Sequence, residues 1–389
     1  MKFLKTALLG AAVALATSAT LAQTQGVTKD EVLLGTIQDL SGPLAGYGKD
    51  VRNGMNLRIS EINEQGGVHG RKLRLILEDN GYDPKRAVLA AQKLVNQDKV
   101  FLIAAALGTA TANAAFPVMA QKGVMNFFPM ALAREMYEPV DKLKFAFVSS
   151  YVEQMVSAVP RLYKDKKATK ACTMYQDDEF GLEVMRGAEM GLKSINVEFT
   201  ERTTYKRGST DFSSQMARMK GAGCDFIVLG TVIRETVGAI AEARKLGYNP
   251  TMLTSVAAYT DLIPKLGGKS MDGLYSTMTG KVPYDDDASP PVRFWAIKYK
   301  TAYNDAPTVF SMYGYVIIDR LVSALQKNGP NLSTDSLAKS LEGLSVPADM
   351  FGMPAMKWSA KNHLASSESR LSQLQDGRWR VVIDYNQAK

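Results

Sequence analysis

Histidine is nearly absent from this chain. Two histidines, two cysteines and three tryptophans occur in 389 residues. His69 and His363 lie far apart in polar, turn-like contexts, without the spacing of metal ligands. There is no GxSxG, and no Cys–His or Ser–His–Asp set is visible. An enzyme is therefore not expected, nor a metal or other cofactor. Beyond the N-terminus no apolar run reaches transmembrane length. A stripe of one charge sign is missing too. The 47 Lys and Arg outnumber 39 Asp and Glu for a net charge of +8, but the two signs are interleaved, as in Lys29-Asp30-Glu31. With no basic stripe and no aromatic platform, nucleic acid is not an expected partner.

The start of the chain has the pattern of an export signal. Lys2 and Lys5 precede an apolar core over residues 6–16, too short to span a bilayer, and Thr20-Leu21-Ala22 offers small residues for cleavage. Residues 1–22 are read as a signal peptide removed near Ala22. Gln23 follows the site, so a lipid anchor on cysteine is not expected. The mature chain is expected in a bacterial periplasm. Its length calls for more than one domain, and its 46% apolar and 22% charged residues are those of an ordinary globular protein.

Periodicity supplies the fold class. Val32, Leu33, Leu34 and Ile37 form a short run suited to a strand buried on both faces. Ser41-Gly42-Pro43 breaks it. Val51, Met55, Ile59 and Ile62 recur at helical spacing, and Gly66-Gly67 ends that helix. Leu73, Leu75 and Leu77 alternate as in a strand. Pro84 then opens a helix with Ala87, Ala90, Ala91 and Leu94 on one face. Further strands are expected over residues 100–106, 124–128 and 145–150, the last leading out of a first lobe. A second series follows, with strands over 171–175, 197–204, 226–229 and from Met252, separated by amphipathic helices. Strand–helix alternation implies α/β architecture with parallel sheets and right-handed crossovers, here as two similar lobes. Residues 290–303, 309–327 and 334–341 read as helices, and the GRWRVVIDY segment as part of a terminal strand pair.

The cysteines, Cys172 and Cys224, each stand near the start of a strand. Buried free thiols are the expectation; adjacent parallel strands and an oxidising compartment would also permit a disulfide.

Several motifs resolve into ordinary structure. Gly46-Tyr47-Gly48 precedes Val51 where a dinucleotide fingerprint needs glycine, so it reads as a structural or ligand-lining turn. Gly267-Gly268-Lys269-Ser270 has Ile263 in place of the first glycine of a phosphate loop. Asp177-Asp178-Glu179 suits a helix start, and Asp285-Asp286-Asp287 a solvated loop. Leu107-Gly108-Thr109-Ala110-Thr111 is more pointed. It follows a buried strand and opens a helix, so its free N–H groups could hold a carboxylate; an ordinary capped helix start is the competing reading.

The stretch over residues 35–91, with the segments YQDDEFGLEV (175–184), TYKRGSTDFSSQMARMKGAGCDFIVLG (204–230) and AYTDLIPKLGGKSMDGLYS (258–276), resembles the leucine/isoleucine/valine-binding protein family, periplasmic solute receptors of ABC importers. The resemblance covers nearly the whole mature chain. It implies two Rossmann-like lobes in a Venus-flytrap arrangement, with crossings near Ser149, Thr279 and Pro354. Lobe 1 would comprise 23–148 plus 281–354, and lobe 2 149–280 plus 355–389. It further implies a small-molecule ligand in the cleft, an inner-membrane permease driven by separate ATPase subunits as partner, and a monomeric receptor. A ligand-sensing subunit of a membrane receptor is an alternative, an exported enzyme on the same scaffold a weaker one.

In amino-acid-binding members, hydroxyl and backbone groups hold the carboxylate, and a second-lobe acid holds the ammonium. By resemblance the hydroxyl positions match Gly108, beside Thr109, and Leu132; the acid matches Val256; two aromatics match Phe180 and Val232. Tyr47 matches a ligand-covering tyrosine and Phe310 an apolar wall. Met130 and Ala131 belong to the same lining segment as Leu132. An ammonium buried without an acid is costly, so a hydrophobic or aromatic carboxylate is expected, with branched-chain or other amino acids as the alternative. Arg134 and Arg234 are candidate partners for that carboxylate, against the competing reading of surface charges. If Glu153, Asp178 or Glu235 faced the cleft, an amino acid would return to first place.

Overall fold

The structure is a computed structural model that describes residues 24–384; the expected signal peptide lies outside the described residues. The first half alternates β1 (Glu31–Gln38), α1 (Ala45–Glu64), β2 (Lys72–Asp79), α2 (Pro84–Gln92), β3 (Leu102–Ala104), α3 (Thr109–Gln121), β4 (Met125–Phe127) and β5 (Lys144–Phe145). Its five strands form one parallel sheet in the order β2-β1-β3-β4-β5. The side chains of β1 sort by the period of two: Val32 and Leu34 pack toward α1, while Leu33 and Ile37 join Ala87, Ala91 and Met119 of the α2–α3 face. Helices thus cover both faces, which is why β1 reads as a continuous apolar run.

The second series runs α4 (Tyr151–Asp165), β6 (Ala171–Gln176), α5 (Glu179–Lys193), β7 (Phe199–Tyr205), α6 (Ser213–Gly221), β8 (Phe226–Gly230), α7 (Ile233–Lys245), β9 (Thr251–Thr254), α8 (Leu262–Gly267) and β10 (Tyr275–Met278). Then come α9 (Pro290–Tyr303), α10 (Val309–Asn328), α11 (Thr334–Glu342), the short pair β11 (Ser345–Val346) and β12 (Met356–Lys357), and the hairpin β13 (Arg370–Gln375) and β14 (Arg378–Ile383). The second sheet has the order β14-β13-β10-β9-β8-β6-β7. Five of its strands are parallel and the terminal hairpin adds antiparallel. In both sheets the order reverses beside the first strand, at β1/β3 and at β6/β8, and such switch points open crevices at the strands' carboxyl ends.

Several expected strands are shorter than their apolar runs. β3 and β4 hold three residues each, because Ala105 and Phe128 just beyond them take positive φ of 56° and 48°. The strand expected over 145–150 contributes only Lys144–Phe145. Ser150 instead caps α4 in a reciprocal pair with Glu153.

Helix α10 lies against α1, so the late helices complete the first lobe. Two glycines allow the approach: a Cβ on Gly54 would sit 1.8 Å from the Ser311 carbonyl oxygen, and one on Gly314 2.2 Å from that of Val51.

Three expectations change. Cys172 and Cys224 are joined in a disulfide with Cα atoms 6.0 Å apart, a span that fits the bond. The free-thiol expectation fails because β6 and β8 are neighbours, with Cys172 opposite Ile227. Residues 355–363, assigned to lobe 2 from the sequence, pack on the first sheet: Trp358 stacks on Phe128 and His363 on Phe145. The segment after them runs beside the first crossing, where Ala365 N–H donates to the Ala146 carbonyl and Ser149 Oγ to that of Ser367. His363 is accordingly no polar turn residue but a fully buried ring, its Nδ1 2.8 Å from the Lys144 carbonyl.

Candidate functional site

A cavity lies between the lobes, a usual location for small-molecule sites. It is built from both switch points. After β1, the Asp39 carboxylate accepts from the N–H groups of Gly42 and Leu44 at 2.5 and 2.7 Å, and that turn delivers Leu44 and Tyr47 to the cavity. Tyr47 stacks on Phe310 with centroids 3.6 Å apart. Its hydroxyl donates across the cleft to the Ala257 carbonyl at 2.7 Å. Burial and then the charge of Glu235 hold its phenol well above the usual tyrosine range.

After β3, Gly108 takes φ +94° and starts α3 without a side-chain cap. The first N–H groups of a helix have no partner inside it, so at Thr109–Thr111 a partial positive charge meets the cavity wall. Tyrosines surround this pole. Tyr151 lines the cavity beside it, and burial raises the pKa of its phenol. Tyr82 packs so close to Gly108 that a Cβ there would lie 2.7 Å from its ring.

The rest of the lining is largely apolar. Val232 and Val256 supply it from the second lobe, and Met130, Leu132, Phe147 and Val148 from the first side and the crossing. The hydroxyl of Tyr313 is committed to Thr279 at 2.7 Å. Among the described residues that line the cavity, none is charged.

Of the twelve residues singled out from the sequence, nine line this cavity: Tyr47, Gly108, Thr109, Met130, Leu132, Phe180, Val232, Val256 and Phe310. Three do not. Ala131 is fully buried behind the wall with Ala112 and Met136. Arg134 points at Glu183 of α5, with Nη2 3.3 Å from Oε1 and its backbone N–H 3.1 Å from Oε2. That carboxylate is 1% exposed and takes the nearest guanidinium, since a buried charge needs a partner. Arg234 is exposed; the helical step that turns Val232 and Glu235 inward turns Arg234 to solvent.

The three acids that could restore an ammonium site divide as well. Glu153 accepts from Ser150 as half of the α4 cap. Asp178 caps α5 and meets Arg207 at 2.6 Å. Glu235 is 3% exposed, and its Oε2 finds no hydrogen-bond partner among the described residues. Burial raises its pKa. It does not line the cavity, although its charge reaches Tyr47.

Tyr82, Tyr151, Tyr313 and Ala257 were not singled out from the sequence. Tyr82 had a local signal, a bulky residue inside the polar Asn80-Gly81-Tyr82-Asp83-Pro84 turn. Tyr313 had none, because its place depends on how α10 packs.

Two α/β lobes closing on an uncharged cavity, with an open helix start at one pole, define a two-lobed solute receptor. Residues 31–378 match the family described as periplasmic binding protein, and the chain belongs to that family. It is a binding protein and not an enzyme. The Leu/Ile/Val-binding protein homolog 7 of Brucella abortus is 25% identical over 364 residues, covering 90% of each chain. The Leu/Ile/Val-binding protein of Escherichia coli is 25% identical over 341 residues, 87% of this chain and 89% of that one. Among solved structures, a fatty acid ABC transporter substrate-binding protein from Thermomonospora curvata superposes with a TM-score of 0.83 at 22% identity, covering 93% of both chains. No helix among the described residues is long and apolar enough to cross a membrane.

Proposed function

We propose that this chain is the periplasmic receptor of an ABC importer, that its ligand is a small hydrophobic or aromatic carboxylate, and that closure of the lobes over that ligand presents a monomeric complex to the permease. The observation that carries the ligand class is the absence of any charged side chain among the cavity-lining residues described. An α-ammonium enclosed there would lose its hydration without a carboxylate in return. A carboxylate alone has the Thr109–Thr111 helix start and the phenols of Tyr82 and Tyr151, donors that suit an anion without a formal charge. The aromatic and aliphatic remainder suits a ring or short hydrocarbon body.

A second reading rests on Glu235 and on the curated relatives, which are named for leucine, isoleucine and valine. In that reading a branched-chain amino acid places its ammonium near Tyr47, and Glu235 ionises behind it.

One experiment separates them. Protein unfolded and refolded to remove carried-over ligand is screened by thermal shift against leucine, valine and phenylalanine, and against benzoate, hydroxybenzoates, phenylacetate, cinnamates and short fatty acids. A ligand at a hundred times its Kd adds about 2.7 kcal/mol. Stabilisation by the simple acids, unchanged in Glu235→Gln, is the expected result. Stabilisation by leucine or valine, lost in Glu235→Gln, would replace it with the amino-acid reading.

A further inference from the structure

Arg207 lies in the loop after β7, in the second lobe, and does not line the cavity. It makes three contacts that share one purpose. Its Nη1 donates to the backbone carbonyl of Tyr82, in the first lobe, at 2.9 Å. Its guanidinium carbon lies 4.5 Å from the centroid of the Tyr82 ring, a cation–π distance. Its Nη2 donates to Asp178 Oδ2 at 2.6 Å, and Asp178 in turn caps the helix start that carries Phe180. Gln176 adds a fourth link from the second lobe, with its Nε2 3.3 Å from the Tyr82 hydroxyl and 2.5 Å from Asp178. Tyr82 is held by its carbonyl, its ring face and its hydroxyl, all from the opposite lobe. It sits at φ +58°, a conformation that a bulky residue keeps only when its surroundings enforce it.

We propose that Arg207 is a positioning residue of the binding site, gripping Tyr82 across the cleft so that closure of the lobes and assembly of the anion-holding pole are one event. The Tyr82 ring is the wall against Gly108, so a Tyr82 released from Arg207 leaves the Thr109–Thr111 helix start open to water. Asp178 makes the device symmetric: the same carboxylate orders Arg207 and the Phe180 wall of the second lobe. The contribution to ligand binding rests on the anionic reading above; the grip between the lobes does not.

The test uses ligand-stripped full-length mature protein, with spin labels at Leu89→Cys on α2 and Leu266→Cys on α8, both exposed positions. Inter-label distances are measured in wild type, Arg207→Gln and Arg207→Lys, each checked for native circular dichroism. Wild type shows a closed fraction without ligand. Arg207→Gln loses most of it, and Arg207→Lys, which keeps the charge but not the fork, keeps part. Benzoate affinity, read on the same samples, falls about 10- to 100-fold in Arg207→Gln. A wild type with no closed fraction, or an Arg207→Gln variant with the wild-type fraction, overturns the proposal. Loss of the closed fraction in a protein that ignores benzoate supports the grip and removes the anionic reading instead.

Discussion

Asp50 lies in α1 at 8% exposure and accepts from the Thr308 hydroxyl at 2.7 Å. Burial lifts its pKa from 3.8 to about 7, against the opposing pull of that hydrogen bond. The folded state therefore holds a proton that the unfolded chain releases between these values. Stability falls as pH rises through that window and is level above it. Asp50→Asn removes the penalty and can still accept from Thr308. Its Tm should match wild type near pH 4 and exceed it at pH 8, corresponding to about 2–4 kcal/mol. Equal pH profiles for the two proteins would show that Asp50 is ionised in the fold. Resemblance made most of the cavity legible: Tyr47, Phe180, Val256 and Phe310 were singled out because they match ligand-lining positions of the leucine/isoleucine/valine-binding protein family. The arginines could not be placed the same way. Arg134 and Arg234 are adjacent in sequence to lining residues, but a long charged side chain goes to its partner or to water, and for Arg134 the partner is 49 positions away in Glu183.

At the scale of elements, the α1–α10 contact joins parts of the chain some 250 residues apart through two glycines. Gly314 has no room for a methyl group against the Val51 carbonyl. Gly314→Ala should force the helices apart and lower stability by about 1–3 kcal/mol in denaturant titration, despite alanine's better helix propensity. An unchanged midpoint would mean that the helices separate without cost. Helical periodicity located α1 and α10 correctly from sequence. Strand lengths were overestimated where apolar runs continue through left-handed residues such as Ala105 and Phe128, since hydrophobicity records burial and not φ.

At the scale of the whole molecule, polar contacts between the lobes should weigh on affinity through the balance of open and closed forms. The Tyr47 hydroxyl to Ala257 carbonyl bond crosses the cleft. Tyr47→Phe keeps the Phe310 stack and removes only that bond. The closed form should lose about 1 kcal/mol, seen as a roughly fivefold rise in Kd carried mainly by faster dissociation. An unchanged Kd would show that this bond also forms in the open state. The same scale explains why the lobe boundary was misplaced after residue 354: which sheet a polar, weakly periodic segment joins is settled by rings such as Trp358 and His363 finding Phe128 and Phe145.

Local patterns in the sequence determined the two α/β lobes and nearly every helix, because periodicity, turn residues and helix starts are written in neighbouring positions; the family was legible through the resemblance of whole segments. Only the tertiary structure decided the disulfide, the partner of Arg134, the grip of Arg207 on Tyr82 and the lack of charge around the cavity. Each of these depends on which distant side chains meet once the sheets pack, and burial then decides which polar groups need a partner and which face water.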